Sequence, residues 1–220
     1  MIKAIVFDMD GLMVDSEPLS RQAWDEVLRP FGHQLTDEVQ SQIIGRRADV
    51  SSQVILEAFA LPLAADELRA RKAAVNDQLR AQGVPVMPGL MALHAEIARR
   101  AIPWAIATSS PRHHAEMTLV QLELAAACRA IAAGNEVSHG KPAPDIYLLA
   151  AARLGIEPQF CLALEDSAPG CRAALAAGMR AVAVPNGDTK TADFSFVPYV
   201  FNSLHDVLTN LDELLEMGSQ

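Results

Sequence analysis

Five short apolar runs are separated along the chain by longer segments in which apolar residues recur at helical spacing. Runs of this length without charged residues suit strands that are buried on both faces of a parallel sheet. The pattern predicts five strands, at Ala4–Phe7, Trp104–Thr108, Ala130–Ala133, Cys161–Leu164 and Ala181–Val184.

Helical patterns lie between these strands. Ser110-Pro111 and Ala143-Pro144 suit helix starts, and Gly178 suits the residue after a helix end. Strands that alternate with helices at this spacing predict an α/β fold with a doubly wound parallel sheet. The predicted helices are Met91–Arg100, Pro111–Leu122, Pro144–Leu154 and Pro169–Ala177.

The alternation is interrupted after the first strand. No strand pattern occurs between Ser16 and Val86, and the return through 83–89 is rich in Pro and Gly, which suits a boundary or hinge. We predict a small all-helical cap domain over 16–86, inserted into a core domain of 1–15 and 87–220. Its helices are predicted at Glu17–Pro30, Asp37–Ile44, Val50–Ala60 and Asp66–Ala81.

Composition narrows the class of protein. Half of the 220 residues are hydrophobic and the net charge is −9, which supports a sizeable core and argues against nucleic acid as a partner. No apolar span reaches the roughly 18 residues of a membrane helix, so we expect a cytoplasmic protein with no membrane partner. For the oligomeric state, our default expectation is a monomer. Three cysteines without a CxxC pair are expected to be reduced and buried: Cys128, Cys161 and Cys171.

Two carboxylates follow the first predicted strand, in the segment Phe7-Asp8-Met9-Asp10-Gly11. Ionised carboxylates side by side at a buried strand end are unfavourable unless a cation or hydrogen bonds compensate them. Open α/β sheets bind ligands beyond the carboxyl ends of their strands. Asp8 and Asp10 therefore indicate a chemical site rather than a solvated turn.

Three further polar segments stand at or just after strand ends. Thr108-Ser109-Ser110 puts a hydroxyl at a strand tip before a helix N-terminus, whose free N–H groups suit an anion. Gly140-Lys141-Pro142 supplies a fixed cation, and Glu165-Asp166 a second acidic pair. Since Mg²⁺ prefers carboxylates, phosphate and water, the combined set predicts a site for a phosphate group and Mg²⁺.

These residues resemble, in order, the four motifs of the haloacid dehalogenase superfamily of phosphohydrolases. Asp8-Met9-Asp10-Gly11 matches the first motif, Thr108 the second, Lys141 the third and Glu165-Asp166 the fourth. The insert resembles the helical cap of the β-phosphoglucomutase-like subgroup. Within it, the segments that look most like those of pseudouridine-5′-phosphatase and hexitol-phosphatase relatives are 11–17, 87–89, 139–142 and 173–179.

The resemblance implies a Mg²⁺-dependent phosphomonoester hydrolase that acts through an aspartyl-phosphate on Asp8. Its substrate would be a small phosphorylated metabolite: a sugar, polyol or nucleoside phosphate. Asp10 would be the general acid toward the leaving alcohol and then the base toward water. The implied Mg²⁺ ligands are Asp8, the Asp10 carbonyl and Asp166, with Glu165 assisting directly or through water. The implied phosphate-binding residues are Gly11, Thr108, Ser109 and Lys141.

Two alternative functions stay open. Sugar phosphomutases of the subgroup carry a histidine on the first cap helix and a cap arginine for a distal phosphate. Here Ser20 stands at the position aligned with the histidine. A cap arginine is present in Arg46-Arg47, before Ala48, but it is displaced from the aligned position. We therefore favour hydrolysis. A receiver-like phospho-acceptor domain also uses an aspartate, an acidic pair and a lysine, but the insert and Asp10 count against it.

Two sets of side chains are harder to assign. Arg46 or Arg47 is expected either to contact a polar or anionic part of the substrate or to be a solvated pair. His113 and His114 have no aligned carboxylate partner, so we expect surface residues rather than zinc ligands. His139, beside the Lys141 segment, is a candidate for a loop or substrate-lining role.

Overall fold

A computed structural model of the chain describes residues 1–44 and 46–216. Its centre is a six-stranded sheet in the order β3-β2-β1-β4-β5-β6, and every neighbouring pair is parallel. The strands are β1 Ala4–Phe7, β2 Trp104–Thr108, β3 Ala130–Ala133, β4 Cys161–Glu165, β5 Arg180–Ala183 and β6 Tyr199–Val200. The predicted doubly wound α/β fold is confirmed, with one edge strand that the sequence pattern missed.

Ten α-helices occur in the described residues. Four follow β1 directly, which agrees with the predicted helical insert, and we call them the cap helices: α1 Glu17–Leu28, α2 Asp37–Ile43, α3 Ala48–Phe59 and α4 Ala65–Arg80. The remaining six accompany the sheet: α5 Leu90–Arg99, α6 Arg112–Gln121, α7 Asp145–Leu154, α8 Ala168–Ala176, α9 Leu204–Thr209 and α10 Leu211–Glu216.

The two faces of the sheet differ in the size of their side chains. On one face, large residues such as Phe7 and Ile106 pack under α5, α6, α9 and α10. On the other face, alanines such as Ala107 and Ala163 pack under α7 and α8. Since alternate residues of a strand point to opposite faces, each central strand contributes to both layers.

The cap helices bury a separate cluster of their own, formed by residues such as Trp24, Ile55 and Leu68. Two chain segments connect this cluster to the core, and they pair with each other. Val14 and Val86 form an antiparallel bridge, and Asp15 N–H donates to the Pro85 carbonyl at 2.8 Å. The cap is thus tied to the core by adjacent extended strands of chain.

The structure bears on two further expectations, the burial of the three cysteines and the absence of a membrane-spanning helix. Cys161 and Cys171 are buried and Cys128 is half-buried, and all three are free. Within residues 1–44 and 46–216, no helix is both long and apolar enough to cross a membrane.

Candidate active site

The carboxyl ends of the three central strands bring the predicted motifs together. Phe7 lies level with Ile106 on β2 and with Leu164 on β4, and the Asp8 N–H donates to the Leu164 carbonyl at 2.9 Å. The next residues of each strand therefore meet at one edge of the sheet. Asp8, Thr108, Glu165 and Asp166 are all buried there.

Lys141 joins this group from the loop before α7. Its Nζ lies 2.5 Å from Asp8 Oδ1, 2.5 Å from Glu165 Oε1 and 3.1 Å from the Ala107 carbonyl. Burial alone would lower the pKa of Lys141, but the two carboxylates outweigh it and raise the pKa. The lysine is therefore a fixed cation held against the Asp8 carboxylate.

Glu165 is enclosed on both sides of its carboxylate. Oε1 also accepts from the Tyr147 hydroxyl at 2.9 Å, and Oε2 accepts from the Ser167 N–H at 3.0 Å and its hydroxyl at 2.9 Å. A side chain on Gly170 would lie 1.7 Å from Oε1. Glu165 is thus built to orient Lys141, a role that the sequence motif did not reveal.

The carboxylates fit a hard divalent cation. Ligand oxygens from Asp8, Glu165 and Asp166 all lie within 4.8 Å of one another. Burial, together with repulsion from neighbouring carboxylates, raises the pKa values of Asp8 and Asp166 well above their ordinary range, and Lys141 does not fully offset this. The positive charge of Lys141 therefore does not balance the buried carboxylates, and a cluster of carboxylate oxygens in excess of the nearby cations suits Mg²⁺.

The turn after Asp10 lets the chain approach these carboxylates closely. Gly11 has a φ of +85°, and a Cβ there would lie 2.4 Å from Asp166 Oδ2. Asn186 donates from its Nδ2 to the Gly11 carbonyl at 3.0 Å and to Asp166 Oδ2 at 2.9 Å. Asn186 lies 175 positions from Gly11 along the chain, so no local sequence signal indicated it.

Asp10 has a different environment from that of Asp8. It accepts hydrogen bonds from the Ser16 hydroxyl at 2.6 Å and the Ser110 hydroxyl at 2.7 Å, and it pairs with Arg80 from the end of α4. The Thr108 hydroxyl also donates to it at 3.2 Å. Burial raises the pKa of Asp10, but the Arg80 charge and these hydrogen bonds outweigh it and hold the pKa well below its usual range.

A cavity lies between the cap helices and this edge of the sheet. Core residues Asp8, Thr108, Ser109 and Lys141 line it from below. From the cap it is lined by side chains that the sequence motifs did not indicate, including Glu17, Arg21, Arg69, Lys72, Asn76 and Arg80.

Two charged residues of the cap have shifted pKa values. Burial, with repulsion from Asp10 and Asp188, raises the pKa of Glu17 to about 7. Burial and the nearby Arg80 charge lower the pKa of Lys72 to about 8. Charged side chains placed in helical positions look like ordinary surface residues in a sequence, and only the packing of α1 on α4 turns them inward.

The two candidate cap arginines separate in the structure. Arg46 lines the cavity. Arg47 instead donates to the carbonyls of Val137 at 2.9 Å and Ser138 at 3.1 Å in the loop before Lys141, and a Cβ on Gly140 would meet its Cδ at 2.3 Å. Arg47 therefore holds the cap against the core.

The exposure of the histidines agrees only in part with the prediction from the sequence. His114 is buried, so its prediction as a surface residue is wrong. Asp77 of α4 is a carboxylate partner that the sequence did not indicate. The His114 Nε2 lies 2.6 Å from Asp77 Oδ1, and the half-exposed His113 places its Nε2 3.1 Å from the same oxygen. His139 is exposed and contacts Asp145 at 3.0 Å.

Comparison with known proteins agrees with this geometry. Residues 2–178 match the family model described as haloacid dehalogenase-like hydrolase. The chain belongs to the haloacid dehalogenase-like hydrolases. The resemblance read from its four motifs is thereby confirmed.

Relatives of this haloacid dehalogenase-like hydrolase include phosphatases. It is 35% identical over 207 residues to a probable pseudouridine-5′-phosphatase of Drosophila melanogaster, covering 91% of this chain and 89% of that one. It is 33% identical over 208 residues to hexitol phosphatase A of Escherichia coli, covering 93% of each. These similarities identify the chain as a phosphatase of the family.

A solved structure has the same fold over nearly the whole chain. The crystal structure of CbbY from Rhodobacter sphaeroides in complex with phosphate superposes with a TM-score of 0.84 at 29% identity, covering 96% of this chain and 100% of that one. Because the match covers 96% of this chain, it includes the cap helices as well as the core.

Proposed function

We propose that the chain is a Mg²⁺-dependent phosphomonoester hydrolase that forms an aspartyl-phosphate on Asp8. The observation that carries the proposal is the pair of aspartates with opposite surroundings: Asp8 lies against Lys141, and Asp10 lies against hydroxyl groups and a cap arginine. The substrate class is a small phosphorylated metabolite, a sugar, polyol or nucleoside phosphate, as the names of the relatives suggest.

The carboxylates of Asp8 and Asp166 and the backbone carbonyl of Asp10 would hold Mg²⁺. Glu165, whose two oxygens accept four hydrogen bonds from Lys141, Tyr147 and Ser167, would support the site by orienting its neighbours. When bound, the ion supplies positive charge that neutralises the phosphoryl oxygens and the buried carboxylates.

In the first displacement, an Asp8 oxygen forms a bond to phosphorus while the bond from phosphorus to the leaving oxygen breaks. Lys141 holds Asp8 in place at 2.5 Å and neutralises charge on the transferring group. Phosphoryl transfer asks chiefly for such alignment and charge neutralisation. The remaining phosphoryl oxygens would be bound by Lys141, the Thr108 hydroxyl and the Ser109 N–H. The Gly11 N–H, expected from the sequence as a further contact, instead donates to the Val14 carbonyl at 2.8 Å.

Asp10 would carry the proton in both displacements. Once its contact with Arg80 is loosened, Asp10 would take up a proton, which it gives to the departing alkoxide. It then takes a proton from the water whose oxygen forms a bond to phosphorus while the bond between Asp8 and phosphorus breaks. Because the Arg80 charge favours the ionised form of Asp10, the position of the cap and proton transfer at Asp10 are linked in this proposal.

The cap, over the proposed limits 16–86 between core segments 1–15 and 87–220, would choose the substrate. Arg46, which lines the cavity, is the proposed contact for a polar or anionic part of the substrate. Arg47, which binds the Val137 and Ser138 carbonyls, would fix the closed position. Ser20 accepts from Lys72 at 3.2 Å in the place where a phosphomutase would carry its histidine, which supports hydrolysis.

A phosphate-release screen tests the proposal. The wild-type protein is incubated with sugar, polyol and nucleoside phosphates in excess, with and without Mg²⁺, beside Asp8→Asn and the exposed control Asp66→Asn. Steady phosphate release that needs Mg²⁺ and Asp8 but not Asp66 supports it. Mg²⁺-dependent turnover that survives in Asp8→Asn would sink it, isomerisation alone would favour a mutase, and a single stoichiometric phosphorylation would favour a receiver-like domain.

A further inference from the structure

Three potential metal ligands converge where the cap meets the core, beside the cavity of the phosphate site, which His114 also lines. Asp77 lies on cap helix α4, and His113 and His114 lie on α6. The three ligand atoms all lie within 4.8 Å of one another. The two imidazole Nε2 atoms face a single carboxylate oxygen, at 3.1 Å and 2.6 Å, so both rings are already turned toward one point.

The chemistry of this set differs from that of the Mg²⁺ ligands. Two imidazole nitrogens and one carboxylate oxygen suit a transition-metal dication and are poor partners for Mg²⁺. The side chains of His113 and Asp77 are 53% and 45% exposed, which leaves a route for an ion and a position for water. His114, at 5% exposure, would be the fixed ligand.

The charges also favour a cation. Burial lowers the pKa of His114 despite its hydrogen bond to Asp77, and a neutral imidazole is the form that binds metals. The hydrogen bonds from both histidines outweigh burial and lower the pKa of Asp77, so its carboxylate is ionised. Arg80 is the nearby opposing charge that acts on His114, and Asp10 neutralises it by direct pairing.

The second ring nitrogen of His114, Nδ1, is also relevant to metal binding. This atom is buried and has no partner among the described residues, and the same is true of the Thr118 hydroxyl. These two residues are four apart on α6 and so share one face. With Nε2 bound to a metal, Nδ1 would carry the ring proton. The two groups are not hydrogen-bonded to each other in this structure, so the Thr118 hydroxyl would have to turn toward Nδ1 to accept that proton, as partners of metal-bound histidines commonly do.

We propose that Asp77, His113 and His114 form a binding site for a transition-metal dication such as Zn²⁺ or Co²⁺, distinct from the Mg²⁺ site. Because one ligand belongs to the cap and two belong to the core, the bound ion joins them. It would hold the cap closed over the cavity and slow turnover, since an enzyme with a cap must open to exchange substrate and product.

Co²⁺ titration of the full-length protein in excess Mg²⁺ tests the site, because four-coordinate Co²⁺ with histidine ligands absorbs visible light far more strongly than six-coordinate Co²⁺ among oxygens. The wild type is compared with His113→Asn and with His205→Asn, which makes the same change at another exposed histidine. We expect one intense binding event in the wild type and in His205→Asn, weakened at least about tenfold in His113→Asn.

Two results would overturn the proposal: equal Co²⁺ affinity in the wild type and His113→Asn, or only a weak spectrum that Mg²⁺ displaces. Zn²⁺ titration by calorimetry under the same conditions gives a readout that does not depend on activity. The test also does not depend on the proposed hydrolase mechanism, since a failed phosphatase screen would leave the Co²⁺ spectrum and its sensitivity to His113 unchanged.

Discussion

The guanidinium of Arg80, in the last turn of a cap helix, pairs directly with the Asp10 carboxylate in the core. Its side chain is only 5% exposed, and its Nε and Nη1 atoms have no partner among the described residues. A buried guanidinium with unpaired nitrogens is costly. The contact with Asp10 therefore links the position of the cap to the charge of the proposed acid and base.

Arg80→Met should shift the pH dependence of turnover. Removing the positive charge lets burial raise the pKa of Asp10. As the pH falls, the carboxylate that acts as base in phosphoenzyme hydrolysis is then protonated at a higher pH than in the wild type. We expect kcat to fall about tenfold near pH 5 and to change little near pH 8, since one pKa unit corresponds to tenfold. Steady-state pH profiles measure this, with Arg80→Lys as the charge-preserving control. An unshifted acidic limb in Arg80→Met would contradict the role of Arg80.

Glu17→Gln should stabilise the metal-free protein at alkaline pH. Burial raises the pKa of Glu17 from 4.5 to about 7 in the folded state, so the folded protein binds a proton more tightly than the unfolded chain. The wild type then loses stability as the pH rises from about 4.5 through 7, and glutamine removes that loss. We expect the variant to gain about 1–3 kcal/mol near pH 8 and nothing near pH 4.

Urea unfolding in EDTA, followed by tryptophan fluorescence at the two pH values, measures this difference. Glu57→Gln makes the same change at an exposed carboxylate of α3 and should behave like the wild type at both. A gain in Glu17→Gln that is equal at acid and alkaline pH would show that ionisation is not its cause.

Asp166→Asn should reverse the response of the protein to Mg²⁺. Without metal, the variant should melt at a higher temperature than the wild type at neutral pH, because it removes a buried charge that Glu165 and Asp8 repel. With Mg²⁺ at about 100 times its Kd, the wild type should gain about 2.7 kcal/mol, and the variant almost nothing. Thermal melts with and without Mg²⁺ compare the two proteins, with Asp66→Asn as an exposed control. An equal Mg²⁺ response in both would exclude Asp166 as a ligand.

Gly170→Ala should destabilise the fold through Glu165. A methyl group at residue 170 would lie 1.7 Å from Glu165 Oε1, whereas one at Gly187 would meet nothing within 4 Å. Displacing the buried carboxylate breaks its bonds to Tyr147 and Ser167, so we expect a loss of about 2–4 kcal/mol. Denaturant unfolding of both alanine variants checks this, and similar stabilities for the two would contradict it.

The sequence predicted the sheet well because its strands are buried and apolar on both faces. The bounds of β1, β2 and β3 agree with the predicted strands, β4 is one residue longer at its end, and β5 is shifted by one residue toward the N-terminus. The edge strand Tyr199–Val200 was missed because two residues show no periodicity. The cap helices begin within two residues of their predicted starts.

The core of the candidate site was also foreseeable, since each motif follows a strand and parallel strands end at one edge. Its supporting residues were not. Tyr147 and Asn186 contact Glu165 and Asp166 from 18 and 20 positions away along the chain, in segments that no motif marks. Arg80 looks like any basic residue near a helix end. Their roles depend on how helices pack, which the pattern of a single sequence does not specify.

The pairing of Val14 with Val86 has a consequence for how the chain folds. Strands β1 and β2 are neighbours in the sheet, yet residues 8–103 separate them, and closing so long a loop costs conformational entropy and slows folding. The cap helices collapse through contacts that are local in sequence and bring residues 14 and 86 together. We expect the inserted helices to bring the two strands together during folding, so that weakening the interior of the cap, for instance with Ile55→Ala, slows the assembly of the core sheet.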